Sequence, residues 1–205
     1  MSTKPTTRSG ENIFTKRREP LHFLLWLGIV GSVLIFTVLL VIYIVRKSGP
    51  DWQQIPLPGI FWLSTLVIIL SSISLHEAAN AFRKERFAMY RYCLATTLFL
   101  GMIFMGMQGF GWLQMAERGL GMEDNPSAGF VYVLSGLHIL HILGGLVVMG
   151  YLLNEATRNQ SYVDSFVYSV NPPNQLKVKL MTIYWHFVDV LWLYLFLFLL
   201  YHQMN

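Results

Sequence analysis

The sequence predicts an all-α integral membrane bundle of five transmembrane helices, with the N-terminus cytoplasmic and the C-terminus outside. Three observations carry that prediction. Of the 205 residues, 54% are apolar and only 13% charged, about half the charged share of an ordinary soluble domain, and the mean hydropathy is +0.48. Five apolar runs are long enough to cross a hydrocarbon core about 30 Å thick, which takes roughly 20 residues of helix. Lys and Arg gather at the ends of those runs, on alternating sides.

The chain divides into a polar, basic segment at 1–20 and a transmembrane domain at 21–205. The first segment lacks the apolar core of a cleavable signal peptide, so the first run, 21–45, is expected to stay as a helix. The second and third runs, 60–82 and 90–115, carry the most polar residues, among them Ser64, Ser71, Ser72, Ser74, His76 and Glu77. Groups of that kind turn toward protein rather than lipid. The fourth and fifth runs are 130–153 and 180–201. Pro56, Pro58, Pro126, Pro172 and Pro173 fall between the runs, where a missing N–H does no harm. The connection at 154–179 is the longest, and its Tyr162, Phe166 and Tyr168 suit it to the membrane surface or to a neighbouring chain.

Orientation follows from the basic residues. Lys4, Arg8, Lys16, Arg17, Arg18, Arg83, Lys84, Arg86, Arg91, Arg158, Lys177 and Lys179 fall on one side of the five runs. Only Arg46, Lys47 and Arg118 fall on the other. The richer side is cytoplasmic by the positive-inside rule. The net charge of +4 is therefore a matter of topology, not a stripe that tracks phosphates, and nucleic acid is not an expected partner. Cys93 is the only cysteine, which excludes an internal disulfide, a cysteine-based zinc site and an iron-sulfur cluster built by this chain alone.

Ionisable groups at membrane depth are costly, so each is a functional candidate. Here they are two acids, Glu77 and Asp189, and four histidines, His76, His138, His141 and His186. His186 and Asp189 are three apart and share a helix face, which suggests a ring bonded to a carboxylate as a packing clasp, a proton-relay step or a metal site. His138 and His141 share a face of the fourth run, and with the first pair they make a conceivable set of four ligands. That run offers no acid, however, unlike the Glu-x-x-His pattern of di-metal bundles. Haem held by one histidine from each of two helices is another reading. Glu77 either snorkels to the interface or touches a proton path. Gly101, Gly106, Gly109, Gly111, Gly144 and Gly145 allow close helix approach, with Gln108 placed to bond across the contact. Trp112, Trp185 and Trp192 add rigid surface. These features describe a packed bundle to which no catalytic, cofactor-binding or metal-ligating residue is assigned.

The run Tyr184-Trp185-His186-Phe187-Val188-Asp189-Val190-Leu191-Trp192 closely resembles the W-H-F-V-D-V-x-W motif of cytochrome c oxidase subunit III. Gly136-Leu137-His138-Ile139-Leu140-His141 resembles the family's G-x-H-x-x-H on the preceding helix. Gly101, Phe104 and Gln108 resemble its G-x-x-F-x-x-x-Q, and Ser71, Ser72, His76 and Glu77 are similar, more loosely, to the helix before that. Larger family members have seven spans, and five corresponds to the shorter bacterial forms.

The resemblance implies a scaffold without haem or copper of its own, with haem a and copper held by partner subunits and bound phospholipid as a further ligand. It implies contact with subunit I and subunit II, and with a small subunit IV or a larger respiratory supercomplex, in a bacterial plasma membrane. Such a chain supports assembly, lasting activity and proton uptake of the complex that reduces oxygen to water. Nothing in the sequence reads the electron donor. An equivalent subunit of a quinol oxidase or a nitric oxide reductase therefore stays open, as does a membrane metal or haem enzyme. A transporter would call for broken helices or an internal repeat, and neither is visible.

Overall fold

The computed structural model describes residues 19–50, 52–122, 125–158 and 161–204. The basic residues from Lys4 to Arg18 lie outside them. Among the described residues there are six helices and no strand. They are α1 (Glu19–Lys47), α2 (Ile60–Arg83), α3 (Phe87–Glu117), α4 (Pro126–Arg158), α5 (Tyr162–Val170) and α6 (Pro172–Met204). All but α5 are long and apolar enough to cross a membrane.

The five long helices coincide with the five predicted runs and overshoot them. Hydropathy ends where polar residues begin, whereas a helix continues while its backbone bonds do, so α4 runs on to Arg158 and α6 begins at Pro172. Pro126, Pro172 and Pro173 accordingly stand in the first turns of α4 and α6 rather than in loops, where the missing N–H has no partner to lose. Most of the connection predicted at 154–179 is taken up by the end of α4, the short helix α5 and the start of α6.

The ends of α2 and α3 are closed by the same device. Beyond α2, Arg86 N–H reaches Ala81 O at 2.9 Å and Glu85 N–H reaches Phe82 O at 3.3 Å, with Glu85 at φ 59°. Beyond α3, Leu120 N–H bonds to Met115 O and Gly119 N–H to Ala116 O, both at 3.0 Å, with Gly119 at φ 71°. Both are Schellman closures, which satisfy carbonyls that the helix end leaves bare. The first folds α3 straight back along α2, and that pair forms the most extensive contact of the bundle.

From there α3 packs on α4, while α6 packs on both α2 and α4. The shared core holds Phe61, Ile68, Phe104, Leu134, Ile142, Trp185 and Trp192, all essentially out of reach of solvent. Helix α1 joins more lightly, against α4 and α6. It buries only a seam of Phe36, Leu40 and Tyr43, spaced four and three apart as one helical face requires. Much of the rest of α1, including Leu24, Leu27, Leu34 and Val38, faces outward and is apolar, as lipid requires.

Candidate functional site

The centre of the bundle is built around two indoles, seven residues apart on α6 and therefore on one face. Trp185 Nε1 donates to Ser71 Oγ at 2.9 Å, and Trp192 Nε1 donates to Thr65 Oγ1 at 3.0 Å. The two acceptors lie six apart on α2, which runs antiparallel to α6, so the two bonds form rungs between the helices. Thr65 Oγ1 in turn donates to Phe61 O at 2.7 Å. Next to this ladder, Gln108 Nε2 on α3 donates to Ser64 Oγ at 2.9 Å. In a membrane, where water cannot serve these groups, such bonds position helices against one another.

Glycine shapes the same region. A Cβ on Gly145 of α4 would lie 2.9 Å from Trp185 Cζ3, and one on Gly101 of α3 would lie 3.0 Å from Trp185 Cη2. The Trp185 ring therefore occupies a slot that exists because both positions lack a side chain. A Cβ on Gly111 would clash with the Phe61 ring. The expected close approach thus holds for Gly101, Gly111 and Gly145. It fails for Gly106 and Gly109, which meet nothing within 4 Å. They lie on the outward side of α3, where small residues bring no helix closer.

The intramembrane histidines separate. His138 is fully buried, with its ring 5.8 Å from Phe104 and 5.1 Å from Trp192, and neither ring nitrogen has a partner among the described residues. His141 turns instead toward α1. Its Nε2 meets Ser32 Oγ at 2.9 Å, its Nδ1 meets Leu137 O at 2.8 Å, and Phe36 lies 5.6 Å from its ring. Three residues along a helix rotate a side chain by about 60° net, enough to send the two rings to different neighbours.

The expected bond between His186 and Asp189 is not formed. His186 Nδ1 pairs with Ser72 Oγ of α2 at 2.7 Å. Asp189 is 4% exposed and has the Ser72 side chain nearby, but neither of its oxygens makes a well-aligned hydrogen bond among the described residues. A cross-helix hydroxyl within reach has taken the ring that spacing alone assigned to the carboxylate. His76 is exposed on the outer side of α2, with its ring 6.3 Å from that of His186. Glu77 is exposed beside it. The imagined set of His138, His141, His186 and Asp189 therefore does not assemble. Among the described residues no three His, Cys, Asp or Glu side chains converge as metal ligands.

At one end of the bundle, α5 lies against α2, α4 and α6. Tyr168 Oη donates to Glu155 Oε2 at 2.7 Å, and Lys177 Nζ donates to Glu155 Oε1 at 3.0 Å. Tyr162 Oη donates to Glu85 Oε2 at 3.3 Å. A cavity of about 490 Å³ opens beside it, lined by Ala79, Phe82, Arg83, Val178, Lys179 and Thr182 among others.

Fold and interior together define a multi-pass helical membrane protein whose polar core residues tie helix to helix. The chain belongs to the family of cytochrome c oxidase subunit III, whose profile matches residues 15–204. It is 24% identical over 193 residues to the cytochrome bo(3) ubiquinol oxidase subunit 3 of Buchnera aphidicola, covering 91% of this chain and 92% of that one. It is 31% identical over 134 residues to the cytochrome c oxidase subunit 3 of Thermostichus vulcanus, covering 65% and 61%. A probable quinol oxidase subunit 3 of Staphylococcus saprophyticus is 23% identical over 178 residues. The chain is thus subunit III of a haem-copper oxidase and a multi-pass bacterial membrane protein.

Proposed function

We propose that the chain is the non-redox subunit III of a proton-pumping cytochrome c oxidase, where it supports assembly, lasting activity and proton uptake of subunit I and carries no catalytic centre itself. The observation that carries this reading is the setting of Trp185. The motif residue sits in a slot between Gly101 and Gly145 and is tied to Ser71, which makes it a packing keystone. The other motif residues are dispersed in the same way, His141 on Ser32 and His186 on Ser72, as befits a scaffold rather than a ligand set.

The 31% identity to a cytochrome c oxidase subunit favours that electron donor. The longer match to a ubiquinol oxidase subunit favours quinol as the second reading. A nitric oxide reductase, or a metal or haem enzyme made of this chain alone, has no such observation behind it. The distribution of Lys and Arg supports a cytoplasmic N-terminus and an outside C-terminus. Subunit I and subunit II are the expected partners. Haem a and copper lie in those subunits under this reading, and membrane phospholipid surrounds the assembly.

Gentle affinity purification of the tagged chain from native membranes, with a reduced-minus-oxidised spectrum, tests the proposal. Haem a signals should arrive with two larger chains, oxidise cytochrome c, and vanish when this chain is isolated. Activity with quinol alone selects the second reading. Haem or metal in stoichiometric amount on the isolated chain would sink both.

A further inference from the structure

Two carboxylates and four histidines lie within the apolar runs of α2, α4 and α6. His138 and Asp189 are buried, and His141 is satisfied within the chain by Ser32 and Leu137. Glu77 is exposed one residue beyond His76. The remaining two, His76 and His186, meet on the outer surface of the groove between α2 and α6. His186 is half-buried, and its Nδ1 is occupied by Ser72 while its Nε2 has no partner among the described residues. His76 is exposed and has no hydrogen bond among the described residues. At 1.5 Å per residue, His76 stands about 10 Å and Ser72 about 16 Å inward of Arg83, where α2 ends. Both positions thus fall inside the membrane-crossing length of α2 rather than at its end.

The other outward faces behave differently. Phe99, Met102, Phe110 and Leu113 on α3, and Leu140 and Val147 on α4, present apolar surface that lipid covers without cost. Acyl chains offer no hydrogen bond, so an unpaired imidazole facing them is unfavourable. The same faces of the two helices expose apolar residues toward the membrane interior, Ile69 and Ile73 on α2 and Val190 on α6, with Glu77 exposed one turn beyond Ile73. A pair of imidazoles bordered by apolar residues on its inner side is what a protein helix can cover and a lipid cannot.

We infer that the α2-α6 groove at Ser72, His76 and His186 is the docking face for a transmembrane helix of a larger oxidase subunit, which brings a hydrogen-bonding side chain to the two imidazoles. This rests on the subunit III reading and adds to it the face through which the complex is joined. The occupant is a helix because only a helix carries a polar group to that depth with its own backbone satisfied.

The test uses the whole complex in native membranes. A photo-crosslinking benzoylphenylalanine replaces Ile73 on α2 or, as control, Val147 on α4. The expected result is a covalent link from position 73 to a larger oxidase chain, and none from position 147. In parallel, His76→Leu is neutral for a lipid-facing position but removes the bond that docking requires. The fraction of complex that loses this chain during detergent washing should rise about threefold or more. Links from position 73 to lipid alone or to a second copy of this chain, with His76→Leu complexes as durable as wild type, would overturn the inference. If wild-type chain brings down no oxidase subunit at all, the subunit reading itself fails, which is a different outcome.

Discussion

The six-membered ring of Trp185 lies 2.9 Å from where a Cβ on Gly145 would stand, and its Nε1 is bonded to Ser71 on the opposite side. The ring can retreat in neither direction. It is fully buried between α3, α4 and α2. The family's tryptophan and two glycines on other helices are thus one structural unit.

Gly145→Ala should therefore destabilise the bundle by about 1–3 kcal/mol, the usual cost of overpacking a rigid core. The measurement is the thermal midpoint of the purified complex and its abundance in membranes, both expected to fall. Gly106→Ala is the control, since a Cβ there meets nothing within 4 Å. Equal behaviour of the two variants would mean that the Trp185 slot is softer than its geometry implies.

Thr65→Val isolates the second rung of the ladder. Valine keeps the shape of threonine but takes away the acceptor for Trp192 Nε1, leaving a buried indole N–H with no bond. An unsatisfied donor of that kind costs about 1–3 kcal/mol. Thermal release of the chain from the complex should shift to lower temperature, while Thr65→Ser, which keeps the hydroxyl, should stay closer to wild type. A valine variant with an unchanged midpoint would show that the rung contributes nothing net.

Much of the architecture was legible in the sequence because lipid imposes a length. Runs of apolar residues had to be helices, and of the polar residues on the second run expected to face protein Ser64 and Ser71 do so, whereas His76 and Glu77 are exposed. The helix ends were not legible, because hydropathy stops before the backbone does at Arg158 and Pro172. Helix α5 escaped for a different reason. It turns Ser165 and Ser169 inward and leaves Val163, Val167 and Val170 exposed, the reverse of the pattern that marks a surface helix. At the candidate site, i to i+3 spacing put His186 and Asp189 on one helix face and suggested a bond that is not formed. It could not see Ser72, one helix away, which takes the ring instead. Ser32 and Thr65 were overlooked because a lone hydroxyl in an apolar run carries no signal of its own. The seven-residue interval between Trp185 and Trp192, set against Thr65 and Ser71 six apart, was the clue to the ladder.

Tyr168 supplies a dependence on pH. Burial, and then its bond to Glu155, hold its phenol above the ordinary value of 10.0. A group whose pKa is raised in the docked state stabilises that state fully below the undocked pKa, and the contribution is lost as pH climbs above it. Docking of α5 should therefore be flat through neutral pH and weaken above about pH 10. Hydrogen exchange or limited proteolysis across 162–170 reads this directly. Tyr168→Phe should expose α5 more at neutral pH, by roughly 1 kcal/mol for the lost bond, and flatten the alkaline limb. A phenylalanine variant that keeps the full alkaline response would assign the titration to another group.

Asp189 shows how a motif residue can matter without touching a redox centre. It lies one turn before Trp192, is 4% exposed, and makes no well-aligned hydrogen bond from either oxygen among the described residues, with only Ser72 nearby. Buried polar atoms in such positions are usually met by ordered water or by a neighbouring chain. Truncation to alanine removes the group and leaves a cavity in the buried face of α6, so it should cost about 2 kcal/mol or more. Asp189→Ala is thus expected to lower the amount and the durability of assembled oxidase several-fold, while the haem spectrum of the complex that does assemble stays that of wild type. Asp189→Asn, which matches the carboxyl in shape and can still bond, should hold assembly within about twofold. The measurement is the ratio of haem absorbance to this chain in purified complex, alongside total yield. Normal yield with lost haem would place Asp189 in a cofactor's surroundings and defeat the scaffold reading. Low yield with an intact spectrum is the signature of a residue that holds helices together.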